Sequence, residues 1–441
     1  MGLYETWQHI VSSHHQNIAV HPADSAPLRF HDLQSLVDQQ TPLPARQIQP
    51  ANASDGIVPF LVQTLRAWRD NAILCPVESD LTLPKLPDAD VIPAHIAHLK
   101  FTSGTTGEPR CIMFRTSQLA ADAENIRSTM GLDPVHPNLS VISLAHSYGF
   151  SNLVLPLLLQ GHPLIVASDV LPASLVRACS GKPSITLPAV PAMWRAWFRA
   201  GILDQLPIHL AITAGAPMPV ELEQTIHQQH NLKIHNFLGS SECGAIAYDP
   251  SPEPRTGPSY VGHPAHNVQV TISADNCLEV QSNAVAEGYL PAHPSLQHGK
   301  FITTDLAELH RHAIHLLGRA SDTINLAGRK LDPTEIETLL LQHPDIHHCV
   351  VFGVPSRDAT RCEETVAIIR TELPLTQSEI AQWIGTQLPP WKRPRHYWFT
   401  QELTPNARGK TPRPLWREKW LNQHKIDARP HTSLVDQKST S

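Results

Sequence analysis

The stretch from Leu99 to Ile112 reads LKFTSGTTGEPRCI and holds the residue types with the clearest chemical use. Its glycines allow the backbone to fold closely around an anion, so that amide N–H groups and hydroxyls can point at phosphate oxygens. Arg110 adds a fixed positive charge. The spacing is not that of a Walker A loop, and a plain Ser/Thr/Gly turn would have a similar composition. The predicted phosphate-binding residues are Thr102, Ser103, Gly104, Thr105, Thr106 and Gly107.

Five further motifs follow this loop along the chain. Each is weak evidence alone, but their order is informative. They are AGAP at 214–217, NFLGSSE at 236–242, TTDL at 303–306, GRASDTINLAGRKLDPTEIE at 318–337 and NARGK at 406–410. Together with the loop, the motifs resemble the adenylate-forming (AMP-binding) superfamily, which includes the acyl-CoA and aryl-CoA synthetases. The resemblance runs over about residues 5–419, which is nearly the whole chain.

The resemblance implies a site for ATP. It implies that Glu242 helps to hold Mg²⁺, a hard cation suited to one carboxylate with phosphate oxygens and water. Ser241 would offer a hydroxyl to the α-phosphate, Asp305 would accept hydrogen bonds from the ribose hydroxyls, and Arg319 would close over ribose and phosphate. Structural roles compete with these, since Asp305 can be a turn residue and Glu242 an exposed loop acid. The other implied nucleotide contacts are Gly215, Ala216, Asn236, Phe237 and Leu238.

The resemblance also implies a catalytic lysine, and residues for the transfer to a thiol, in the C-terminal part of the chain. Lys410 lies in TPNARGKTPR, which is similar to the family's lysine motif. Its ammonium can reach between a carboxylate and the α-phosphate as negative charge develops. Gly328 aligns with a glycine that lines the pantetheine tunnel, which favours thioester formation over release of the adenylate. Arg329 and Lys330 can meet phosphates of coenzyme A or only solvent, and Ser321 occupies the hinge position. The predicted catalytic residues are Lys410, Glu242 and Thr102.

The chain departs from the family pattern at four places. Arg110 replaces the usual lysine of the phosphate loop, and Thr304 replaces the glycine before the ribose-binding aspartate. Leu238 stands where an aromatic ring normally stacks on adenine, with Phe237 one place earlier, so the stacking is expected to be weaker or rearranged. Ser321 stands where the hinge usually has Asp or Lys. None of these changes removes a group that does chemistry.

The predicted acid pocket has apolar and aromatic walls. It shows no lysine or arginine for a second carboxylate and no acid for an amino group, which favours a fatty or aromatic monocarboxylic acid. His146 can contact the carboxylate or simply pack. The pocket residues are His146, Tyr148, Gly149, Phe150, Val190, Met193 and Ala214, followed by the stretch after Phe237.

Three functions remain open from the sequence. The leading one is ATP-dependent activation of a carboxylic acid through an acyl-adenylate, followed by transfer to coenzyme A. The second is a stand-alone adenylation enzyme that loads the phosphopantetheine of an acyl carrier protein. The third is a non-catalytic nucleotide-binding relative, because the units that usually precede the phosphate loop are reduced to the connector 78–98.

Composition and charge exclude several other classes. The 441 residues include 34 basic and 40 acidic side chains, a net charge of −6, which offers no basic field for nucleic acid. The seven cysteines form no C-x-x-C pair, which argues against a zinc knuckle or a disulfide scaffold and predicts a cytoplasmic protein. Glu5 interrupts any signal peptide, and the apolar run 153–159 is too short to span a bilayer.

Alternating helix and strand patterns must position these residues, and they predict an α/β fold of layered subdomains. The pattern predicts a strand at 139–144, then an apolar helix at 146–159. Short alternating segments from about 260 to 317 predict a β-rich subdomain. Asp332 followed by Pro333 predicts a helix start in a small, mobile α+β C-terminal domain. The predicted limits are 1–318 for the N-terminal AMP-binding domain, 319–323 for the hinge, 324–425 for the C-terminal domain and 426–441 for a disordered tail.

Overall fold

The computed structural model describes residues 2–78, 86–102, 110–326, 329–356, 363–404 and 411–424, with Thr102 described by its backbone alone. The chain forms two compact units. The first contains Met1–Thr303 and Ala307–Leu316, and the second contains Thr304–Leu306 and Leu317–Ser441. Both are mixtures of helix and strand, so the predicted α/β class with a β-rich subdomain and a small C-terminal domain is confirmed. The predicted domain limits and hinge remain predictions, and the predicted tail 426–441 lies outside the described residues.

The helices of the first unit turn apolar faces toward its sheets. Helix formation follows apolar spacing, as in the buried residues Phe60, Leu61, Leu65 and Trp68 of one helix. In chain order the helices are α1 (Leu3–His14), α2 (Phe30–Asp38), α3 (Ile57–Arg69), α4 (Thr116–Met130), α5 (Ser147–Gly149), α6 (Leu155–Gln160), α7 (Pro172–Cys179), α8 (Pro191–Arg199) and α9 (Val220–His230). A π-helical segment, Phe150–Val154, joins α5 to α6.

The strands before residue 320 form two sheets. In chain order they are β1 (Ile18–His21), β2 (Leu28–Arg29), β3 (Ile48–Asn52), β4 (Ile73–Val77), β5 (His98–Thr102), β6 (Arg110–Phe114), β7 (Asn138–Ser140), β8 (Leu164–Val166), β9 (Ile185–Ala189), β10 (Ile208–Thr213), β11 (Ile234–Ser240), β12 (Gly244–Tyr248), β13 (Tyr260–Pro264), β14 (Gln269–Ile272), β15 (Cys277–Gln281), β16 (Gly288–Leu290), β17 (Leu296–Gln297), β18 (Lys300–His310) and β19 (Ala313–Arg319).

The larger sheet runs in the order β14-β15-β18-β19-β13-β12-β11-β10-β9-β7-β8-β1-β2, and β17 pairs with β18. Its central strands β7, β9, β10 and β11 are parallel to one another. Their carboxyl ends therefore lie at one edge of the sheet, which is where ligands bind in open α/β sheets. The chain leaving this edge carries His146, Val190, the segment 214–217 and Glu242.

The smaller sheet runs in the order β16-β6-β5-β4-β3. Strands β5 and β6 are antiparallel, with Thr102 opposite Arg110, so they hold the two ends of the predicted phosphate loop beside each other. Strand β16 pairs with the outer side of β6 and places Tyr289 opposite Ile112.

Two predicted elements differ from the structure near the candidate site. The predicted strand 139–144 is wrong beyond Ser140, where β7 ends. Local hydrogen bonding explains the early end, because the Ser143 hydroxyl donates to Glu78 (2.7 Å) and accepts from the Ala145 amide (3.3 Å). The helical region predicted at 146–159 is present, but it contains the π-helical segment.

The second unit has its own small sheet and helices. Its elements are β20 (Ile324–Leu326), β21 (Arg329–Leu331), α10 (Pro333–Leu341), β22 (Ile346–Pro355), β23 (Glu363–Thr371), α11 (Gln377–Gly385), β24 (His396–Phe399) and α12 (Arg413–His424). The predicted cap is present, since the Thr334 amide donates to Asp332 Oδ1 (3.0 Å). In the described parts of both units, no helix is long and apolar enough to cross a membrane.

Candidate active site

The predicted phosphate loop is described only at its two ends. The antiparallel strands β5 and β6 bring Thr102 opposite Arg110. The other predicted loop residues, Ser103, Gly104, Thr105, Thr106 and Gly107, lie outside the described residues, as do Gly328 and Lys410. Their roles remain predictions.

Glu242 lies in the turn between β11 and β12, close to the edge where the parallel strands end. The turn is well anchored, because the Glu242 amide donates to Ser240 Oγ (3.1 Å) and its carbonyl accepts from the Ala286 amide (2.8 Å). Its side chain is half-buried, and Glu242 Oε1 accepts a hydrogen bond from the Tyr289 hydroxyl at 2.9 Å. This bond holds the carboxylate in one orientation, and among the described residues no hydrogen bond to its second oxygen is seen.

Tyr289 joins this glutamate to the end of the phosphate loop. The Arg110 guanidinium lies 5.5 Å from the centroid of the Tyr289 ring, a cation–π distance. Burial and the negative charge of Glu242 raise the pKa of the Tyr289 hydroxyl, which therefore stays a donor at neutral pH. Sequence reasoning missed Tyr289 because its contacts depend on the pairing of β16 with β6, which no local pattern indicates.

The residues suit a magnesium ion better than a metal with a complete protein ligand set. In the described ranges, no group of three or more His, Cys, Asp or Glu side chains could hold a metal ion. A single oriented carboxylate is what Mg²⁺ uses when phosphates and water complete its coordination. Glu242 is thus the residue of this turn that fits the predicted metal role.

Ser241 precedes Glu242 and contacts the segment predicted to bind the acid. The Ser147 hydroxyl donates to Ser241 Oγ at 2.9 Å. With the proton of this bond supplied by Ser147, the Ser241 hydroxyl can also donate its own proton elsewhere, as the predicted contact with an α-phosphate requires, because each hydroxyl can both donate and accept.

Among the predicted acid-pocket residues, His146, Tyr148 and Gly149 lie around the short helix α5, whereas Phe150 packs in the core. His146 caps the short helix α5, with its Nδ1 atom accepting from the Tyr148 amide (3.2 Å), and the Tyr148 ring lies 6.1 Å from that of Phe237. Gly149 packs so closely on the preceding loop that a Cβ would lie 2.0 Å from the Ser143 carbonyl oxygen. Phe150, by contrast, is fully buried and its ring faces His98 at 4.8 Å.

The remaining pocket and adenine residues cluster after β9 and β10. Val190 caps helix α8, and a Cβ on Gly215 would lie 3.6 Å from Val190 Cγ1. Gly215 has a φ of +86°, a conformation that favours glycine. The structure therefore brings a predicted nucleotide residue beside a predicted acid residue. Ala214 is buried, whereas Ala216 and Met193 are half-buried.

The neighbouring strand β11 carries three predicted nucleotide residues on alternating faces. The side-chain amide of Asn236 donates to the Val261 carbonyl (3.2 Å), so it is engaged within the sheet. Phe237 is buried and turned toward Tyr148, and Leu238 points to the opposite face. Phe237, the aromatic residue one place early, thus contributes to the core beside Tyr148 of the predicted acid pocket.

In the second unit, Asp305 and Arg319 lie together. Arg319 Nε donates to Asp305 Oδ1 at 3.1 Å, and half of the arginine side chain is exposed. The two residues come from β18 and β19, so the strands place the predicted ribose carboxylate beside the predicted closing arginine. The two predicted roles, binding of the ribose hydroxyls by Asp305 and closure over ribose and phosphate by Arg319, both require positions close to the same ribose.

Other predicted residues of the second unit lie on its surface. Arg329 and Lys330 are exposed, and the Arg329 guanidinium lies 5.2 Å from the Trp391 ring. Ser321 donates to the Asp322 carboxylate at 3.2 Å. Asp322 is also bound by Arg413, a residue that the motif analysis did not single out.

A buried carboxylate on α4 was also missed. Asp122 is 3% exposed and accepts hydrogen bonds from Ser151 and from the Ala245 amide. Burial raises its pKa, while the buried ammonium of Lys100 opposes that rise. A signal was present in the sequence, because Asp122 interrupts the apolar stripe that includes Leu119 and Ile126.

Comparison with protein families identifies two regions of the chain. Residues 14–290 match the family model described as AMP-binding enzyme, and residues 335–410 match the model described as AMP-binding enzyme C-terminal domain. The first match covers more than half of the chain.

Among curated proteins, the chain is similar to the 2-succinylbenzoate--CoA ligase of Staphylococcus aureus strain MSSA476. The two are 26% identical over 330 residues, which cover 72% of this chain and 66% of that protein. The match thus spans slightly less than two thirds of the relative's length.

Among solved structures, the fold is similar to ATP-bound MatB from Rhodopseudomonas palustris, with a TM-score of 0.81, 18% identity, and coverage of 96% of this chain and 100% of that one. It is also similar to o-succinylbenzoate CoA synthetase (MenE) from Bacillus subtilis in complex with OSB-AMP, with a TM-score of 0.79, 18% identity, and coverage of 98% and 99%. A third similar structure is the anthranilate CoA ligase AuaEII in complex with anthranoyl-AMP. Its TM-score is 0.79 and its sequence identity is 16%, and the match covers 95% of this chain and 97% of that one.

Proposed function

The chain belongs to the family of AMP-binding enzymes, and from this membership we propose that it is an ATP-dependent ligase that joins a carboxylic acid to a thiol. In the first half-reaction, a carboxylate oxygen attacks the α-phosphorus of ATP, the bond to pyrophosphate breaks, and an acyl-adenylate forms. In the second, the sulfur of coenzyme A attacks the acyl carbon, AMP leaves, and the thiol proton passes to solvent.

The observation that carries this proposal is the turn at Ser241 and Glu242. It stands at the carboxyl edge of the parallel strands, with one oriented carboxylate and one hydroxyl, and it touches the segment that begins at His146. A nucleotide phosphate and an acid carboxylate must meet at such a place for the first half-reaction to occur.

The proposed roles follow from these positions. Ser241 donates to the α-phosphate, and Glu242 holds Mg²⁺, which when bound neutralises phosphate charge. Lys410 stabilises the charge of the transition state. Asp305 and Arg319 bind the ribose and phosphate. Thr102 is part of the phosphate-binding loop. Gly328 lines the pantetheine tunnel, and Arg329 and Lys330 contact the phosphates of coenzyme A.

The proposed substrate class is an aromatic or fatty monocarboxylic acid, with the aromatic class favoured. The names of the similar proteins support the aromatic part of this choice, since 2-succinylbenzoate and anthranilate both carry a benzoate ring, although 2-succinylbenzoate has a second carboxylate. The rings of Tyr148 and Phe237 lie 6.1 Å apart beside the predicted pocket, an aromatic wall suited to such a substrate. A cytoplasmic location remains part of the proposal.

Pyrophosphate release tests the function directly. Purified protein is incubated with ATP, Mg²⁺ and one of benzoate, anthranilate, 2-succinylbenzoate, malonate, octanoate or hexadecanoate. We expect release with at least one aromatic or fatty acid and its loss in Glu242→Gln. Equal rates in the two proteins, with a fold intact by circular dichroism, would contradict the role of Glu242.

The acceptor is tested in a second arm with the acid that gives release. We expect thioester formation with coenzyme A and none with a phosphopantetheinylated carrier protein. The reverse result would identify a carrier-loading adenylation enzyme. Binding of ATP without pyrophosphate release from any acid would favour a non-catalytic relative.

A further inference from the structure

Two bridges join the acid segment, defined as residues 146–151, to the Glu242 turn, defined as residues 240–245. The first bridge is direct, from the Ser147 hydroxyl to Ser241 Oγ at 2.9 Å. It connects the first residue of α5 to the residue immediately before Glu242. A movement of α5 would therefore displace the Ser241 hydroxyl, which we propose contacts the α-phosphate.

The second bridge runs through Asp122. The Ser151 hydroxyl donates to Asp122 Oδ2 at 2.6 Å, and the Ala245 amide donates to Asp122 Oδ1 at 3.0 Å. One carboxylate from α4 thus holds both segments. Because each oxygen of Asp122 accepts one of these hydrogen bonds, the orientation of the carboxylate is defined at both ends.

Gly244 shows how closely this carboxylate fits the turn. Its φ is +65°, and a Cβ at this position would lie 2.0 Å from Asp122 Oδ1. The carboxylate occupies the space where other residues carry a side chain. The path of the turn after Glu242 is therefore shaped around Asp122.

The second bridge is sealed from solvent. Ser151 and Asp122 are each 3% exposed, and Ala245 is fully buried. The charged group facing Asp122 is the buried ammonium of Lys100, which also interacts electrostatically with Glu242. Hydrogen bonds in such surroundings are costly to break, so the two segments are expected to shift together.

The helix geometry gives each serine its target. Ser147 and Ser151 are four residues apart, and Ser151 lies in the π-helical segment Phe150–Val154. A π-helical turn holds an extra residue, and such turns are frequent at functional sites. Here Ser147 reaches the start of the Glu242 turn, and Ser151 reaches its end through Asp122.

We propose that Ser147, Ser151 and Asp122 are positioning residues that couple the acid segment to the Glu242 turn, so that binding of the magnesium nucleotide orders the acid segment. The inference rests on the proposed function, because it requires nucleotide at the Glu242 turn. Coupling of this kind needs a physical link with defined geometry between the two sites, which the two bridges supply.

Hydrogen exchange measured by mass spectrometry tests the coupling without any acid. The probe is α,β-methylene-ATP with Mg²⁺, which cannot release pyrophosphate, at concentrations that calorimetry shows to saturate each protein. In the wild type we expect the amides of residues 144–154 to exchange about fivefold more slowly with the probe than without it. In Ser147→Ala combined with Ser151→Ala we expect less than a twofold slowing.

Two further variants test whether the change in exchange depends on the two bridges. Ser128→Ala removes a hydroxyl from the exposed face of α4 and should retain the wild-type slowing. Ser147→Ala alone breaks one bridge at a half-buried position and should give an intermediate value even if the double variant folds poorly.

The outcomes separate this inference from the proposed function. Equal slowing in the wild type and the serine variants would overturn the coupling, as would nucleotide binding to the wild type without slowing at 144–154. Failure of the wild type to bind the probe would instead overturn the proposed function.

Discussion

The Tyr289 hydroxyl donates a hydrogen bond to Glu242 Oε1 at 2.9 Å, across 47 residues of sequence. Glu242 leads from one strand of the larger sheet to the next, whereas Tyr289 belongs to the smaller sheet. The bond therefore ties the two sheets together at the proposed metal ligand. Its removal should affect metal use more than the fold.

We expect Tyr289→Phe to raise the Mg²⁺ concentration for half-maximal pyrophosphate release by about tenfold or more. A hydrogen bond to a charged group contributes about 1.5–3 kcal/mol, and phenylalanine keeps the ring beside Arg110. The control is Tyr4→Phe, whose hydroxyl contacts Gln34 instead. An unchanged Mg²⁺ dependence in Tyr289→Phe would show that the bond does not orient Glu242.

Asp305→Ala should raise the KM for ATP while changing the KM for the acid little. The proposed role of Asp305 is to accept hydrogen bonds from the two ribose hydroxyls, each contributing about 1.5–3 kcal/mol to a charged acceptor. The exposed Asp275 offers a matched substitution, Asp275→Ala, which should leave both KM values unchanged. The ribose assignment fails if the two variants have the same KM for ATP.

Much of the fold follows from local patterns in the sequence. Asp332 and Pro333 predict a helix start, and the short alternating segments from about 260 to 317 predict strands of a β-rich subdomain, because caps and alternating apolar residues act over a few positions. Strand 139–144 was overestimated, because the hydrogen bonds of Ser143 compete with the sheet and have no signature in hydrophobicity alone.

The contacts of the candidate site could be predicted only in part. Glu242 and Ser241 were found by their motif, whereas Tyr289 and Ser151 were not. Their partners are distant in sequence and are selected by strand order and by a π-helical turn, neither of which a local pattern specifies. Phe237 is a similar case, because only the sheet shows that its ring turns toward Tyr148.

Stability should fall as the pH is lowered from 7 to 5, partly because of two buried histidines. Burial lowers the pKa of His162 to about 4 and that of His98 well below its usual value. Below about pH 6.5 the unfolded chain binds protons that the folded chain does not, so each histidine costs up to about 1.4 kcal/mol per pH unit. The loss from His162 is complete only below about pH 4.

Urea unfolding at pH 7 and pH 5 measures this effect. His98→Leu should lose less stability between the two pH values than the wild type, because one titrating group is gone. His9→Leu, at an exposed position of α1, should behave like the wild type. Equal losses in His98→Leu and the wild type would contradict a neutral, buried His98.

Lys410→Ala should separate the two half-reactions. The proposed lysine stabilises charge only while the adenylate forms, so we expect pyrophosphate release to fall by at least about a thousandfold. Conversion of supplied acyl-adenylate and coenzyme A into thioester should continue at a rate near that of the wild type. Equal loss of both steps would contradict this division of roles.

Arg413→Lys should instead act through stability. Arg413 binds both oxygens of Glu337 (2.8 and 2.9 Å), the Val351 carbonyl (2.7 Å) and the Asp322 carboxylate. A lysine cannot reproduce this planar set of donors, and the Glu337 side chain is only 16% exposed, so the loss of these bonds is expected to cost about 3 kcal/mol.

Urea unfolding followed by tryptophan fluorescence measures the loss, since the second unit contains five tryptophans at positions 383, 391, 398, 416 and 420. We expect Arg413→Lys to lower the free energy of unfolding of this unit by about 3 kcal/mol. Arg395→Lys changes an arginine whose side chain is 45% exposed, and it should cost less than about 1 kcal/mol. Similar losses in the two variants would show that Glu337 does not depend on the Arg413 guanidinium, because the more exposed Arg395 pair would then contribute as much as the part-buried Arg413 pair.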